Sequence, residues 1–239
     1  VGRHFALVWD AVGPKAGQTD VQLWVTPRWG HVDPYLATDF RAGVLQGLAH
    51  GFALGLFVDA SASSTGVMET PAVDGRLTVH LQKGGVLGGP VSWGLQAEVS
   101  GGATGLSVLG LVALDAQLQA VRVGFNADAW TNAVFEGGAR FDKTRARQTF
   151  GFSYTLGNGV SAGLELQNRL TWNQGTYGGD AFLIGPSVGY RGEVFWFSVA
   201  MLPQVAAMKA ESQRGVGDPL ELTDNERFTL RITLGVVPK

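Results

Sequence analysis

Residues 145 to 172 read RARQTFGFSYTLGNGVSAGLELQNRLTW. The even positions Phe150, Phe152, Tyr154 and Leu156 are large and apolar, and the odd positions Arg145, Arg147, Thr149, Ser153 and Thr155 are polar. This period of two is the signature of a strand with unlike faces. After Gly157-Asn158-Gly159 the alternation resumes, with Ala162, Leu164 and Leu166 on one face and Ser161, Glu165, Gln167, Arg169 and Thr171 on the other. Gly and Asn adopt positive φ at little cost, so the link closes a hairpin. The fold turns on whether the greasy face of that hairpin meets a protein core or lipid.

The chain has 239 residues, 35 of them Gly and none Cys, with 16% charged residues and a formal net charge of −2. High Gly and aromatic content with few helix-favouring charge pairs indicates an all-β protein, expected as a single domain over 1–239. Zero Cys excludes a disulfide framework and a thiolate metal site, and no metal or cofactor is expected. The near-neutral balance gives no electrostatic footprint for nucleic acid. No signal sequence is visible, since VGRHF starts straight into an alternating segment. The chain is therefore expected to be a mature form whose signal has been removed.

One stretch competes with this reading. Gly43, Gly47, Gly51 and Gly55 recur every four residues in AGVLQGLAHGFALGLFVDA, the small-xxx-small pattern of packed membrane helices. Gln46 and His50 interrupt it and Arg41 and Asp59 bound it, which leaves it short of the roughly 20 apolar residues a span needs. Read as a strand, it puts Gly47, Gly51 and Gly55 on one face and Leu48, Phe52, Leu54, Leu56 and Val58 on the other, and this reading fits the rest of the chain.

Twelve strands are expected, at about 3–12, 19–28, 46–59, 73–83, 89–100, 105–115, 117–128, 145–156, 160–172, 180–190, 193–204 and 225–237, with ends uncertain by about two to four residues. Strand 105–115 is apolar on both faces. Alternate links are short (84–88, 115–116, 157–159, 191–192), and the other set includes the long links 60–72, 129–144, 173–179 and 205–224. An outer-membrane barrel has this asymmetry, with short periplasmic turns and longer extracellular loops. The link 29–45 breaks the rule, being long on the tight side, and is expected to extend its strands or form a periplasmic cap. Trp9, Trp130 and Trp172 fall near the outer strand ends and Trp29, Trp93 and Tyr190 near the inner ends, as girdle aromatics at two lipid–water interfaces would. The competing explanation is that they cap a soluble core.

A soluble lipocalin-like barrel would also alternate, with its apolar stripe turned inward. The wet face carries Arg28, Arg76, His80, Gln96, Glu98, Arg122, Arg147, Glu165, Gln167, Arg169 and Arg231. Arg and small residues dominate it, where a soluble exterior favours Lys and Glu, and planar guanidinium groups suit a confined polar lumen.

The segments SAGLELQNR (161–169), FLIGPSVGYRGEVFWFSVAMLPQ (182–204) and NERFTLRITLGVV (225–237) resemble a loosely defined group of bacterial outer-membrane proteins, the MetA-type phenol-degradation transporters. The resemblance covers mainly the C-terminal third and implies an outer-membrane barrel passing small solutes. It carries no catalytic or binding residues to this chain. The closing Val-Val-Pro-Lys departs from the aromatic terminal residue common in such barrels.

If the link 84–88 closed symmetrically, His80 would face Ser92, with Asp74 opposite Glu98. That would be a nucleophile and base for a hydrolase. No G-x-S-x-G elbow surrounds Ser92, so no catalytic residue is assigned and the protein is not expected to be an enzyme.

The sequence thus leads to a twelve-stranded antiparallel transmembrane barrel in a bacterial outer membrane, a narrow pore or facilitated-diffusion channel whose partners are membrane lipid and a small solute. Gly47, Gly51 and Gly55 would give a bare lumen wall beside an open path. An excess of Arg over acid would favour anions. The alternatives are a non-conducting structural or interaction barrel, closed by its own Arg–Glu network or by 29–45, with outer loops available to a protein partner; an outer-membrane hydrolase; and a soluble ligand-binding barrel.

Overall fold

A computed structural model describes residues 5–30, 36–64, 72–103, 105–135, 140–210 and 219–238. Twelve strands form the wall: β1 (Thr19–Trp29), β2 (Leu36–Gly47), β3 (Phe52–Ser64), β4 (Ala72–Gly88), β5 (Val91–Gly102), β6 (Gly105–Leu118), β7 (Val121–Val134), β8 (Arg140–Gly157), β9 (Val160–Asn173), β10 (Thr176–Arg191), β11 (Phe195–Lys209) and β12 (Phe228–Val236). Each is antiparallel to its sequence neighbour, and β1 pairs with β12 to close the barrel. Closure leaves no edge strand, so every ladder group has a partner within the wall.

The two faces settle the question posed by the 145–172 hairpin. Leu54, Leu56 and Val58 of β3, Leu77, Val79 and Leu81 of β4, and Phe150 and Phe152 of β8 point outward and are exposed, while Thr78, His80, Gln82, Glu98, Glu165 and Gln167 point inward and are buried. Leu56 is 55% exposed and His80 0%. Apolar outside and polar inside is the inverse of a soluble barrel and matches a wall solvated by lipid. No helix among the described residues is long and apolar enough to cross a membrane. The helical reading of 42–60 gives way to β2 and β3, joined by a 3-10 turn at Ala49–Gly51 in which His50 and Gly51 take φ of 58° and 76°.

Two expected features of the N-terminal quarter are corrected. Residues 5–12 are not a strand: because β1 is already bonded on both sides, to β2 and β12, the segment has no edge to join. It enters the barrel instead. Residues 36–47, expected to be part of a link, are β2, with Phe40 and Val44 outward and Leu45 inward. The lost strand and the gained one cancel, so the number of strands and the sense of every strand from β3 onward stay as expected, but β1 runs the other way. Its link to β2, 30–35, therefore lies at the long-link end, and the expected anomaly on the tight side disappears. The tight end now holds links 48–51, 89–90, 119–120, 158–159 and 192–194, the start of β1 and the end of β12.

A lipid-facing wall makes a specific demand at its waist. Arg on the lipid face near the bilayer midplane costs about 2–4 kcal/mol. Leu56→Arg is expected to lower the unfolding free energy of the vesicle-inserted barrel by about that amount in a guanidinium titration. A change within about 0.5 kcal/mol, as for an ordinary surface substitution in water, would contradict lipid contact at Leu56.

Candidate functional site

The lumen is built from the inward rows of all twelve strands, and its tight-turn end is occupied by the chain's own N-terminal segment. Phe5, Ala6, Leu7, Val8, Trp9 and Ala11 are all buried. Outside the sheet, their backbone donors and acceptors need side-chain partners, because a buried unpaired amide is costly. Glu165 of β9 supplies most of them: its carboxylate accepts hydrogen bonds from the amides of Ala6 (2.9 Å), Leu7 (2.7 Å) and Val8 (3.3 Å). Ser198 Oγ donates to the Phe5 carbonyl at 3.0 Å and Gln82 Nε2 to the Asp10 carbonyl at 3.2 Å. Arg122 binds the Asp10 carboxylate at 2.8 Å and also pairs with Asp115.

Glycines make room for this segment. A Cβ on Gly124 of β7 would lie 2.7 Å from Val8 Cγ1, and one on Gly151 of β8 would lie 2.7 Å from Phe5 Cδ1. A Cβ on Gly84 or Gly94 would run into the Ala11 carbonyl, and one on Gly47 into the backbone of Pro14 and Lys15. Inward apolar side chains complete the seat. Ala6 and Leu7 pack on Ala181, Leu183, Ala200 and Leu202; Trp9 and Ala11 pack on Trp24, Leu111 and Ala113. This explains why β6 is apolar on both faces: its outward row meets lipid and its inward row meets Trp9.

Deeper in the lumen, Trp9 stacks on His80 at 5.4 Å and meets Trp24 edge-on at 4.7 Å. The Arg41 guanidinium lies 5.1 Å over Trp24 and 5.3 Å over Phe57, and Arg41 bonds Glu98 at 2.8 and 2.9 Å and Asp59 at 2.5 Å. His80 Nδ1 is 2.9 Å from Glu98. At the long-link end a second non-strand segment, 219–227, enters the mouth, burying Glu221, Leu222, Asn225 and Glu226. Glu226 pairs with Arg28 and, at 3.2 Å, with Arg169.

All eleven expected lumen residues belong to inward-facing rows: Arg28, Arg76, His80, Gln96, Glu98, Arg122, Arg147, Glu165, Gln167, Arg169 and Arg231. They do not line an open path. Arg28, Arg76, Arg122, Arg147 and Arg169 each pair with Asp or Glu, while Arg231 donates to Thr26. The expected excess of Arg is offset by Asp10, Asp39, Asp59, Asp115, Asp128 and Glu226, which reasoning on strand pattern alone left uncounted. Nor is there a bare wall. Gly51 sits in the turn, Gly47 is covered by Pro14 and Lys15, and Phe57 stands over Gly55.

The aromatic expectations divide. Trp93, Trp172 and Tyr190 lie on outward rows near strand ends. Trp29 is also outward, stacked on Phe228 at 5.6 Å, but at the long-link end, because β1 runs opposite to expectation. Trp9 lies in the lumen. Trp130 is on the inward row of β7 beside Arg145, whose guanidinium is 6.0 Å from its ring. The hydrolase pair is also undone. The link between β4 and β5 is Gly89-Pro90, so His80 faces Glu98 and Ser92 faces Val86. At about 3.3 Å per residue, Ser92 is roughly 20 Å along the wall from His80.

No family model matches the chain, and no curated protein matches it. Solved structures do. The KdgM porin in complex with disordered oligogalacturonate is 10% identical, with a TM-score of 0.56 over 91% of this chain and 98% of that one. The NanC porin is 10% identical at 0.56 over 90% and 98%, and the β domain of the Bordetella autotransporter BrkA is 12% identical at 0.56 over 93% and 99%. At such identities the likeness is one of fold, and that fold is the closed barrel of bacterial outer-membrane proteins.

Glu165 is the anchor most exposed to test. Hydrogen bonds to a charged group contribute about 1.5–3 kcal/mol each, and Gln offers one acceptor oxygen and an NH2 that opposes the segment's amides. Glu165→Gln is expected to loosen residues 5–11 while leaving the strand ladder intact. Proteolysis of the folded barrel would then cut the N-terminal segment at least about tenfold faster; an unchanged cutting rate would remove Glu165 from that role.

Proposed function

We propose that the protein is an outer-membrane channel for small solutes whose N-terminal segment occupies the lumen in the state described. The observation that carries this reading is the kind of closure present. The lumen is filled at its tight end by a segment outside the sheet, held by one carboxylate, two further side-chain bonds to its backbone, an ion pair at Asp10 and apolar contacts in a glycine-lined seat. Withdrawing that segment breaks no ladder hydrogen bond of the wall, so an open state is accessible without unfolding the barrel. The exposed apolar belt places the wall in lipid, and the porin-like fold supports an outer-membrane setting. We assign no catalytic role, because Ser92 and His80 stand apart.

A second reading has its own observation. The Arg–carboxylate pairs cross the lumen between strands and inserted segments, as Arg122–Asp10 and Arg28–Glu226 do, and such a network suits a permanently closed structural barrel. The two readings differ in conductance.

Planar-bilayer recordings of the intact chain and of a chain lacking residues 1–11 separate them. The channel reading expects rare, brief openings from the intact protein and frequent, long-lived steps from the shortened one. Silence from both, with insertion verified by protease protection, would favour the structural barrel. Because the lumen arginines are matched by carboxylates, selectivity between small anions and cations is expected to be weak, with a reversal potential near zero in a salt gradient.

A further inference from the structure

The segment 219–227 brings two carboxylates into a place the wall has lined with cations. Arg28 projects from β1, Lys143, Arg145 and Arg147 from β8, and Arg169 from β9. Arg147 and Arg169 are directly opposite in the β8–β9 register, a like-charge pairing that is unfavourable unless anions lie between or beside them. Glu226 and Asp224 supply much of that compensation. Glu226 is 1% exposed, pairs with Arg28 and Arg169, and also feels the charge of Arg145. Asp224 binds Lys143 at 2.7 Å and Asn173 at 2.8 Å, and its carbonyl accepts from Arg145 Nη2 at 3.0 Å.

The wall's own acids in this cluster are Asp39, on Arg28, and Asp128, on Arg147. Without the two carboxylates of the inserted segment, five cations would face two acids. The site also holds spare polar capacity: Arg145 Nε and, in the register position opposite it, Thr171 Oγ1 are buried with no hydrogen-bond partner among the described residues. Planar guanidiniums from separate strands converging on carboxylates are suited to bind such groups in bidentate fashion.

We propose that this cluster is an anion-binding site for a carboxylate-bearing solute, and that Asp224 and Glu226 occupy it as an internal ligand. A solute offering carboxylates at the same cations competes with the inserted segment, and its apparent affinity is reduced by the fraction of time the segment is in place. The site is one of binding, and holds whether or not the barrel conducts, so its failure and the failure of the channel reading are separate results.

The test is isothermal titration of the full chain in detergent with glutarate, and with pentane-1,5-diol as its uncharged counterpart. Weak binding of glutarate to the native chain is expected. Glu226→Gln, which empties part of the site while leaving the wall cations in place, should bind glutarate about tenfold or more tightly, and adding Arg169→Gln should abolish the gain. Fold retention is checked by far-ultraviolet circular dichroism and heat-modifiable migration. Should Glu226→Gln not fold, Asp224→Asn, which leaves both buried pairs of Glu226 intact, should show a smaller gain through Lys143 and Arg145. Equal affinity of the native chain and the folded variant, a gain that survives Arg169→Gln, or binding of the diol as tight as that of glutarate would each overturn the proposal.

Discussion

The hydrogen bonding of β1 to β12 is the constraint from which the rest of the structure follows. Lipid offers no partner to an unpaired amide, so a wall with an apolar exterior must close on itself. With β1 joined to β12 on one side and β2 on the other, the residues before β1 cannot extend the sheet. Phe5, Leu7 and Trp9 are too apolar to be left in water at small cost. The lumen is where they go. Their backbone then needs buried acceptors, and Glu165 provides them from the middle of β9.

The same constraint accounts for the glycine content of the inner face. A segment of chain fits inside a twelve-stranded barrel only where the wall is thin, and Gly47, Gly84, Gly94, Gly124 and Gly151 thin it on five strands along the path of residues 5–15. Those residues also explain the polar economy of the lumen. Arginines bound to carboxylates across the interior satisfy one another in confinement, whereas removal of one partner of a buried pair commonly costs about 3–5 kcal/mol. Ion pairs that link the wall to an inserted segment therefore do two things: they hold the segment in place, and they leave charged groups behind when it departs.

Much of this was legible in the sequence. Period-two alternation located most of the wall, and the arginine-rich wet face identified eleven inward residues without error of face. The N-terminal quarter was not legible, because Phe5, Leu7 and Trp9 alternate as a strand does, and pattern alone does not say that β1 has no free edge. Residues 36–47 were missed because Gly43 and Gly47 on the inner row and Ala42 on the outer row dilute the contrast between faces. The trace of the inserted segment was nonetheless present. Leu111, Ala113, Leu183 and Leu202 are apolar residues on otherwise polar rows, and each packs against the segment. Carboxylates such as Asp39 and Asp59 could not be matched to Arg28 and Arg41 until the register was known, so the lumen read as cationic when it is closely balanced.

The account's central claim is that residues 5–11 lie in the lumen and block it. The chain has no Cys, so a single engineered pair reports on this cleanly. Val8→Cys with Gly124→Cys places two thiols where a Cβ on residue 124 would lie 2.7 Å from Val8 Cγ1, within the range a disulfide can span. The measurement is bilayer conductance of this double variant before and after dithiothreitol. The account predicts that the cross-link forms on oxidation, silences the barrel, and that reduction restores openings. A pair that fails to cross-link in the folded barrel, or a cross-linked barrel that conducts as freely as the reduced one, would contradict it.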